Sequence, residues 1–211
     1  MNGGGVQHLG SYSAASPPRD KRSCFPLLAS SAPGRSGHRI VHLTHLARRF
    51  LGSLRPGGPA PDDDRWAVGL MVPGEVVLWR RMSAADRRHA VGVARRVDAT
   101  LGPGGSRPVL AAALLHDVGK IDSRLGPVRR AAATVAGMVA GRTAAERWRA
   151  RAGMVGRVGR YLCHDEIGAG LLADAGSDGL IVAWAREHHL APERWTVPAE
   201  IARALKAADD D

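Results

Sequence analysis

Cysteine is almost missing from this chain: Cys24 and Cys163 are the two among 211 residues, 139 positions apart and outside any CxxC pattern. A disulfide framework or a structural zinc ribbon is therefore not expected, and a reducing, cytoplasmic setting is. Aromatic residues are scarce at 4%, so a core has to come from Ala, Leu, Val and Ile, which are plentiful. No run approaches the ~20 consecutive apolar residues of a membrane span. The longest candidate, Ala131 to Gly141, is short and rich in Ala and Gly. A secretory signal is not expected either, because Arg19, Lys21 and Arg22 precede only a brief apolar stretch, Cys24 to Ala29, broken by Pro26.

Acidic residues are missing from one end. Residues 1–60 hold eight Lys/Arg against Asp20 alone, whereas residues 61–211 hold twenty-two against nineteen acids. The formal charge of +10 is thus mostly N-terminal, +7 against +3. Nucleic-acid binding by the folded part is not expected on this balance.

Three parts follow from composition. Residues 1–38, rich in Gly, Ser, Pro and Ala without apolar period, read as a disordered extension. Residues 39–82 read as N-terminal helices and a linker. Ile40 to Leu54 places Val41, Leu43, Leu46, Phe50 and Leu54 against Arg48 and Arg49, a basic amphipathic helix that docks on its own domain or makes weak contact with a membrane surface. His42 and His45 on it are given no role. Residues 83–211 read as the main helical domain. Ser83 with Asp86 forms a capping-box-like start to a helix reaching Leu101. Helices are then expected over Pro108–Lys120, Val128–Val139, a short segment capped by Thr143, Met154–Leu162, Asp165–Asp174, Asp178–His189 and Pro198–Ala208, separated by Gly, Ser or Pro signals. No period-2 strand is evident, so the fold class is all-α, a compact helical bundle with a disordered N-terminal extension.

The segment His116-Asp117-Val118-Gly119-Lys120 closes the apolar run Val109 to Leu115. A histidine and a carboxylate where a buried helix would continue need partners, because an unpaired charge there is costly to desolvate. Other groups share the difficulty. His89 lies on the stripe of Val93 and Val97; His164 precedes Ile167, Gly168 and Leu171; His188 follows Ile181, Trp184 and Ala185; Asp209 follows Ile201 and Leu205. All project from apolar faces at helical spacing. One shared cation site satisfies them together. Imidazoles with carboxylates and no thiolate suit Mn, Fe, Ni, Zn or Mg. Six ligands exceed one tetrahedral zinc, whereas two cations bridged by a carboxylate use the whole set.

In this order the residues resemble the HD-domain metal-dependent phosphohydrolase superfamily over roughly residues 85–210. HDVGK is similar to its HD-x-GK signature. The segment from His164 to Gly176 is similar to the His-Pro-Glu-Ile-Gly-Ala-Glu-Leu-Leu block of the HDIG-type subgroup with extra histidines, with Asp165 where Pro is usual. Glu187-His188-His189 resembles that subgroup's paired-histidine helix, and Leu190 to Arg194 lacks the DGxGYP pattern of the subgroup that cleaves cyclic di-GMP. The resemblance implies an HD-type bundle with two divalent metal ions. His89, His116, Asp117 and Asp209 hold one, and Asp117 bridges to a second held by His164 with His188 or His189. On an ideal helix those two diverge by ~100°, which favours His188, leaving His189 as a further ligand or a phosphate contact. Lys120 stands four residues after His116, on its helical face, and is implied to neutralise a phosphate oxygen, making Asp117 and Lys120 the catalytic pair. The implied activity is phosphodiesterase or phosphomonoesterase action on a small-molecule nucleotide or related phosphate ester through a metal-bound hydroxide. The alternative is a non-catalytic metal-binding module of the same fold, used in signalling or as a scaffold.

Overall fold

A computed structural model describes residues 57–210 of the chain. The extension 1–38, the helix expected over 40–54 with its surface contact, and His42 and His45 lie outside the described residues. Among the described residues there are ten α-helices and no strand, as the absence of period-2 patterning predicts.

Three helices with proline or a serine cap at their starts come first. They are α1 (Pro61–Gly69), α2 (Pro73–Arg81) and α3 (Ala84–Leu101). In α2, Glu75 reaches back to the Val72 N–H at 2.9 Å. Ser83 caps α3 by accepting from the Asp86 N–H at 3.1 Å, and the Asp86 carboxylate accepts from the Ser83 hydroxyl at 2.7 Å where a full box would have it accept from the Ser83 N–H. Ala67, Leu78, Trp79 and Met82 enter the same core as α3, so residues 61–82 pack as part of the bundle.

α4 (Arg107–Leu115) runs through the middle, every residue from Val109 to Leu115 being buried. A helix apolar on all sides has to be enclosed on all sides. Here α3 and α9 (Gly179–Glu187) enclose it, α10 (Ala199–Asp210) packs on α3, and α8 (His164–Asp174) packs on α9. The core is aliphatic, with Trp79 and Trp184 its largest members.

A second, smaller lobe consists of α5 (Pro127–Ala140), α6 (Arg142–Arg149) and α7 (Gly153–Leu162). Its small apolar cluster is Ala145, Leu162 and Cys163, with Trp148, Val158, Tyr161 and Ile167 packed against it. α6 begins one residue before Thr143, after Gly141, so Thr143 lies in the first turn and does not cap the helix. α7 approaches the end of α6 so closely that a β-carbon on Gly159 would lie 2.2 Å from the Arg149 nitrogen.

Candidate metal centre

Where the sequence suggests one helix from Pro108 to Lys120, α4 stops at Leu115 and the chain tightens into a 3-10 turn, Val118–Asp122. The cause lies across the interface. A β-carbon on Gly119 would sit 1.9 Å from the His164 carbonyl oxygen and 2.6 Å from the Gly168 nitrogen. Only a glycine in a tightened turn brings HDVGK against the start of α8. The change of winding also moves Lys120, whose ammonium is placed three residues beyond Asp117 and donates to Asp117 Oδ2. The expected alignment of Lys120 with His116 on one helical face is therefore corrected.

The helix ends place the other groups. His116 caps the end of α4, and His188 caps the end of α9, with His189 next. α9 thus ends before both histidines, and the divergence expected of neighbours within a helix does not apply to them. His164 follows the end of α7 and opens α8, Asp209 sits in the last turn of α10, and His89 projects from α3.

All seven residues meet. Ligand-capable atoms of His89, His116 and Asp209 lie within 4.8 Å of one another, and so do those of Asp117, His164, His188 and His189. Asp117 stands between the two groups and addresses each with a different oxygen. Its Oδ2 is 3.4 Å from His116 Nε2, while Oδ1 is 3.2 Å from His164 Nε2 and 3.8 Å from His188 Nε2. Asp209 Oδ1 lies 3.0 Å from His89 Nε2 and 3.5 Å from His116 Nε2. His189 Nε2 is 3.2 Å from His164 Nε2, so both adjacent histidines face the cluster.

The tautomers are set from behind. His116 Nδ1 donates to the Ala113 carbonyl at 2.9 Å, His164 Nδ1 to Tyr161 at 2.8 Å and His188 Nδ1 to Ala185 at 3.0 Å. With a proton held on Nδ1, each ring turns its Nε2 inward, the arrangement seen in metal-ligating histidines. Two of these nitrogens, on His116 and His188, are buried without a hydrogen-bond partner. Buried polar atoms are rarely left so. These buried His/Asp groups could hold a metal ion, and the donor set fits a borderline or hard divalent cation.

The electrostatics agree in sign. Burial alone lowers the affinity of His116 for a proton, but the charges of Asp117 and Asp209 outweigh it and push its pKa up to about 10. The field there favours positive charge, whether proton or metal. His188 is pushed down to about 3 by burial, with His116 adding to the effect. His189 is lowered well below its usual range by burial and by His188 and His164. Burial raises the Asp117 carboxyl, yet Lys120 and His116 hold it well below the ordinary carboxylate range.

Several residues support the cluster in ways the sequence does not announce. Glu187, in the segment Glu187-His188-His189, is buried and accepts from the Thr196 N–H and hydroxyl at 2.7 and 2.6 Å, which ties the chain after the histidines back onto α9. Asp165, standing where the family block has Pro, is 2% exposed and pairs with Arg142 at 3.4 Å. Asp86 accepts from Arg130 at 2.6 and 2.9 Å, and Lys120 is the strongest charge holding its pKa low. Tyr161 stacks on the His164 ring with centroids 5.9 Å apart. The capping pattern marks Asp86, but nothing local in the sequence marks Arg130 as its partner 44 residues on.

No family model, no curated protein and no solved structure matches this chain.

Proposed function

We propose that the cluster binds two divalent cations bridged by Asp117 and hydrolyses a phosphate ester. The observation that carries the reading is Asp117 itself, a buried carboxylate that turns one oxygen to each of two groups of inward-facing donors. A single tetrahedral ion needs four ligands, and seven convergent donors are more than it uses.

In this reading His89, His116 and Asp209 hold one ion, His164, His188 and His189 the other, and Asp117 both. Bound cations supply the Lewis acidity that makes water nucleophilic near neutral pH and that offsets charge on a phosphoryl group. The chain's own residues do the rest. Backbone carbonyls at Ala113, Tyr161 and Ala185 hold the Nδ1 protons and so aim each Nε2 at the cluster; at His116, kept protonated by Asp117 and Asp209, a bound cation would take the place of the Nε2 proton. Lys120 rests on Asp117 Oδ2. Where Asp117 Oδ2 serves as a metal ligand, the Lys120 ammonium would be released from it and would offset negative charge on a phosphate oxygen. The resemblance of HDVGK and the His164 segment to HD-domain phosphohydrolases supports the same chemistry. The substrate class is then a nucleotide or similar small phosphate ester.

Metal analysis combined with turnover tests the proposal. Purified protein is expected to carry about two transition-metal ions per chain and, with Mn2+, to hydrolyse an aryl phosphodiester or a member of a nucleotide panel. Asp117→Ala is expected to lose both metal and turnover. Metal binding without turnover on any substrate supports the non-catalytic module instead, and turnover unchanged in Asp117→Ala overturns the site.

A further inference from the structure

α5 is oriented the wrong way round for a helix on a protein in water. Arg130, Ala133, Thr134 and Gly137 form the face that packs inward, Gly137 against Leu162. At 100° per residue the diametrically opposite positions are Val128, Ala132, Val135 and Val139. Those are the positions where charged residues belong, yet Val128 is 65%, Val135 62% and Val139 86% exposed. Met138 beside them is also exposed, and so are Met154 and Val155 in the first turn of α7. Six of the seven exposed large apolar side chains among the described residues thus fall on two elements of one small lobe.

The same lobe carries the charge. Residues 123–163 contain nine arginines and one acid, Glu146, a net of +8. The remaining described residues, 57–122 and 164–210, hold thirteen basic side chains against seventeen acids, a net of −4. Three of the lobe's arginines are neutralised internally: Arg130 by Asp86, Arg142 by Asp165 and Glu146, and Arg160 by Asp122. Among the described residues Arg124, Arg129, Arg147, Arg149, Arg151 and Arg157 make no ion pair. Arg124, Arg157 and Arg160 line an open cavity of about 550 Å³ with Asp122, Ser123 and Gly153. Arg124 holds its place there at φ +50°, in the left-handed region where glycine would sit without strain.

From these observations we propose that the α5–α7 lobe docks on an anionic phospholipid surface, with the outer face of α5 entering the headgroup–acyl boundary and the arginine cavity receiving a lipid phosphate. No helix among the described residues is long and apolar enough to cross a membrane, so the attachment is interfacial. The charge and the apolar face together select this occupant. A second copy of the chain would bring two sets of six arginines without ion pairs face to face. A nucleic acid would satisfy the arginines and leave Val135, Met138 and Val139 in water. An anionic bilayer satisfies both, as polybasic surfaces with exposed apolar side chains do.

Full-length, metal-loaded protein is sedimented with vesicles of phosphatidylglycerol and phosphatidylcholine, or of phosphatidylcholine alone. The expected result is binding to the anionic vesicles at least tenfold stronger than to the neutral ones. Val135→Asp/Val139→Asp is expected to reduce it at least tenfold with metal content and circular dichroism unchanged, because both side chains point away from the fold. Arg124→Gly, which removes a charge and relaxes the backbone, is expected to weaken binding several-fold. Failure to bind anionic vesicles overturns the proposal. So does binding that survives Val135→Asp/Val139→Asp but is lost in Arg48→Ser/Arg49→Ser, which assigns the contact to residues 40–54. A vesicle-independent dimer broken by Val135→Asp/Val139→Asp, or salt-sensitive DNA binding without vesicle binding, overturns it as well.

Discussion

The bundle and the lobe solve opposite problems. In the bundle, α4 brings seven consecutive buried apolar residues to a point where His116 and Asp117 must be buried too, and polarity is gathered inside. In the lobe, α5 has only Ala133 and Gly137 fully buried, and its valines face out. The bundle is mildly acidic and the lobe strongly basic. Where buried polar groups converge, each has a partner or a lone pair aimed at a shared point. Where apolar groups are exposed, six of the seven large ones among the described residues fall in the lobe that also holds six arginines without an ion pair. In both cases the departure from ordinary burial is concentrated in one place, and concentration is what separates a site from background.

Gly119→Val tests the joint inside the bundle, between the HDVGK turn and α8, and should have the largest effect. The added β-carbon would sit 1.9 Å from the His164 carbonyl, so the turn and α8 must separate. Overpacking destabilises by about 1–3 kcal/mol and occasionally more, and a clash with backbone belongs at the upper end, read as a fall in urea midpoint. Metal binding should fail with it. A midpoint within experimental error of the parent removes the close approach as the reason for the glycine.

Asp117→Asn keeps the shape of the residue at the centre of the cluster and removes its charge. Metal affinity should drop at least about 100-fold, beyond the usual effect of losing a supporting contact, measured by competition with a chromogenic chelator. The lobe should not notice, and vesicle binding should stay at the parental level.

The pH response of chelator-treated protein should come from the bundle. His188, held down to about 3 against an ordinary 6.5, contributes stability that is full above about pH 6.5 and is lost as pH falls toward 3. Asp117, held low, adds a further loss below the ordinary carboxylate value of 3.8. His116, raised to about 10, contributes stability that is full below pH 6.5 and is lost as pH rises toward 10. Thermal unfolding of the metal-free protein should therefore peak near pH 6.5, and His116→Gln should remove the alkaline decline. A profile flat from pH 6.5 to 10 in the parent contradicts the assigned charge on His116.

Val139→Asp should have the smallest effect. At 86% exposure the valine has little to lose, and stability should change by less than ~0.5 kcal/mol. A larger loss would mean that the outer face of α5 is covered within the chain.

Much of the bundle could be read in advance because its signals are local. Ser83 and Asp86 announce α3, and the apolar spacing around His89, His164, His188 and Asp209 marks these residues as inward-facing. Two features could not be read this way. The end of α4 at Leu115 depends on the distance from Gly119 to a carbonyl 45 residues later, which no local propensity encodes. The exposure of Val128, Val135 and Val139 is similar, since an apolar helix in a sequence looks like core until its packing partners are known. Periodicity reports that a face is apolar, and only the tertiary structure reports whether that face is covered.

The helix ends at the cluster have one more consequence. Among the described α-helices, α4, α7, α9 and α10 direct their C-termini toward it, and α8 alone offers an N-terminus. Each helix end carries a partial charge of about half an elementary unit, negative at the C-terminus, so the backbone alone contributes roughly −1.5 before any side chain is counted. Such a field would draw cations in and, under the proposed function, would keep a phosphate ester out of the unloaded site, so that the cations come first. Linkage makes the dependence mutual: by whatever factor bound cations raise affinity for the anion, the anion must tighten retention of the cations.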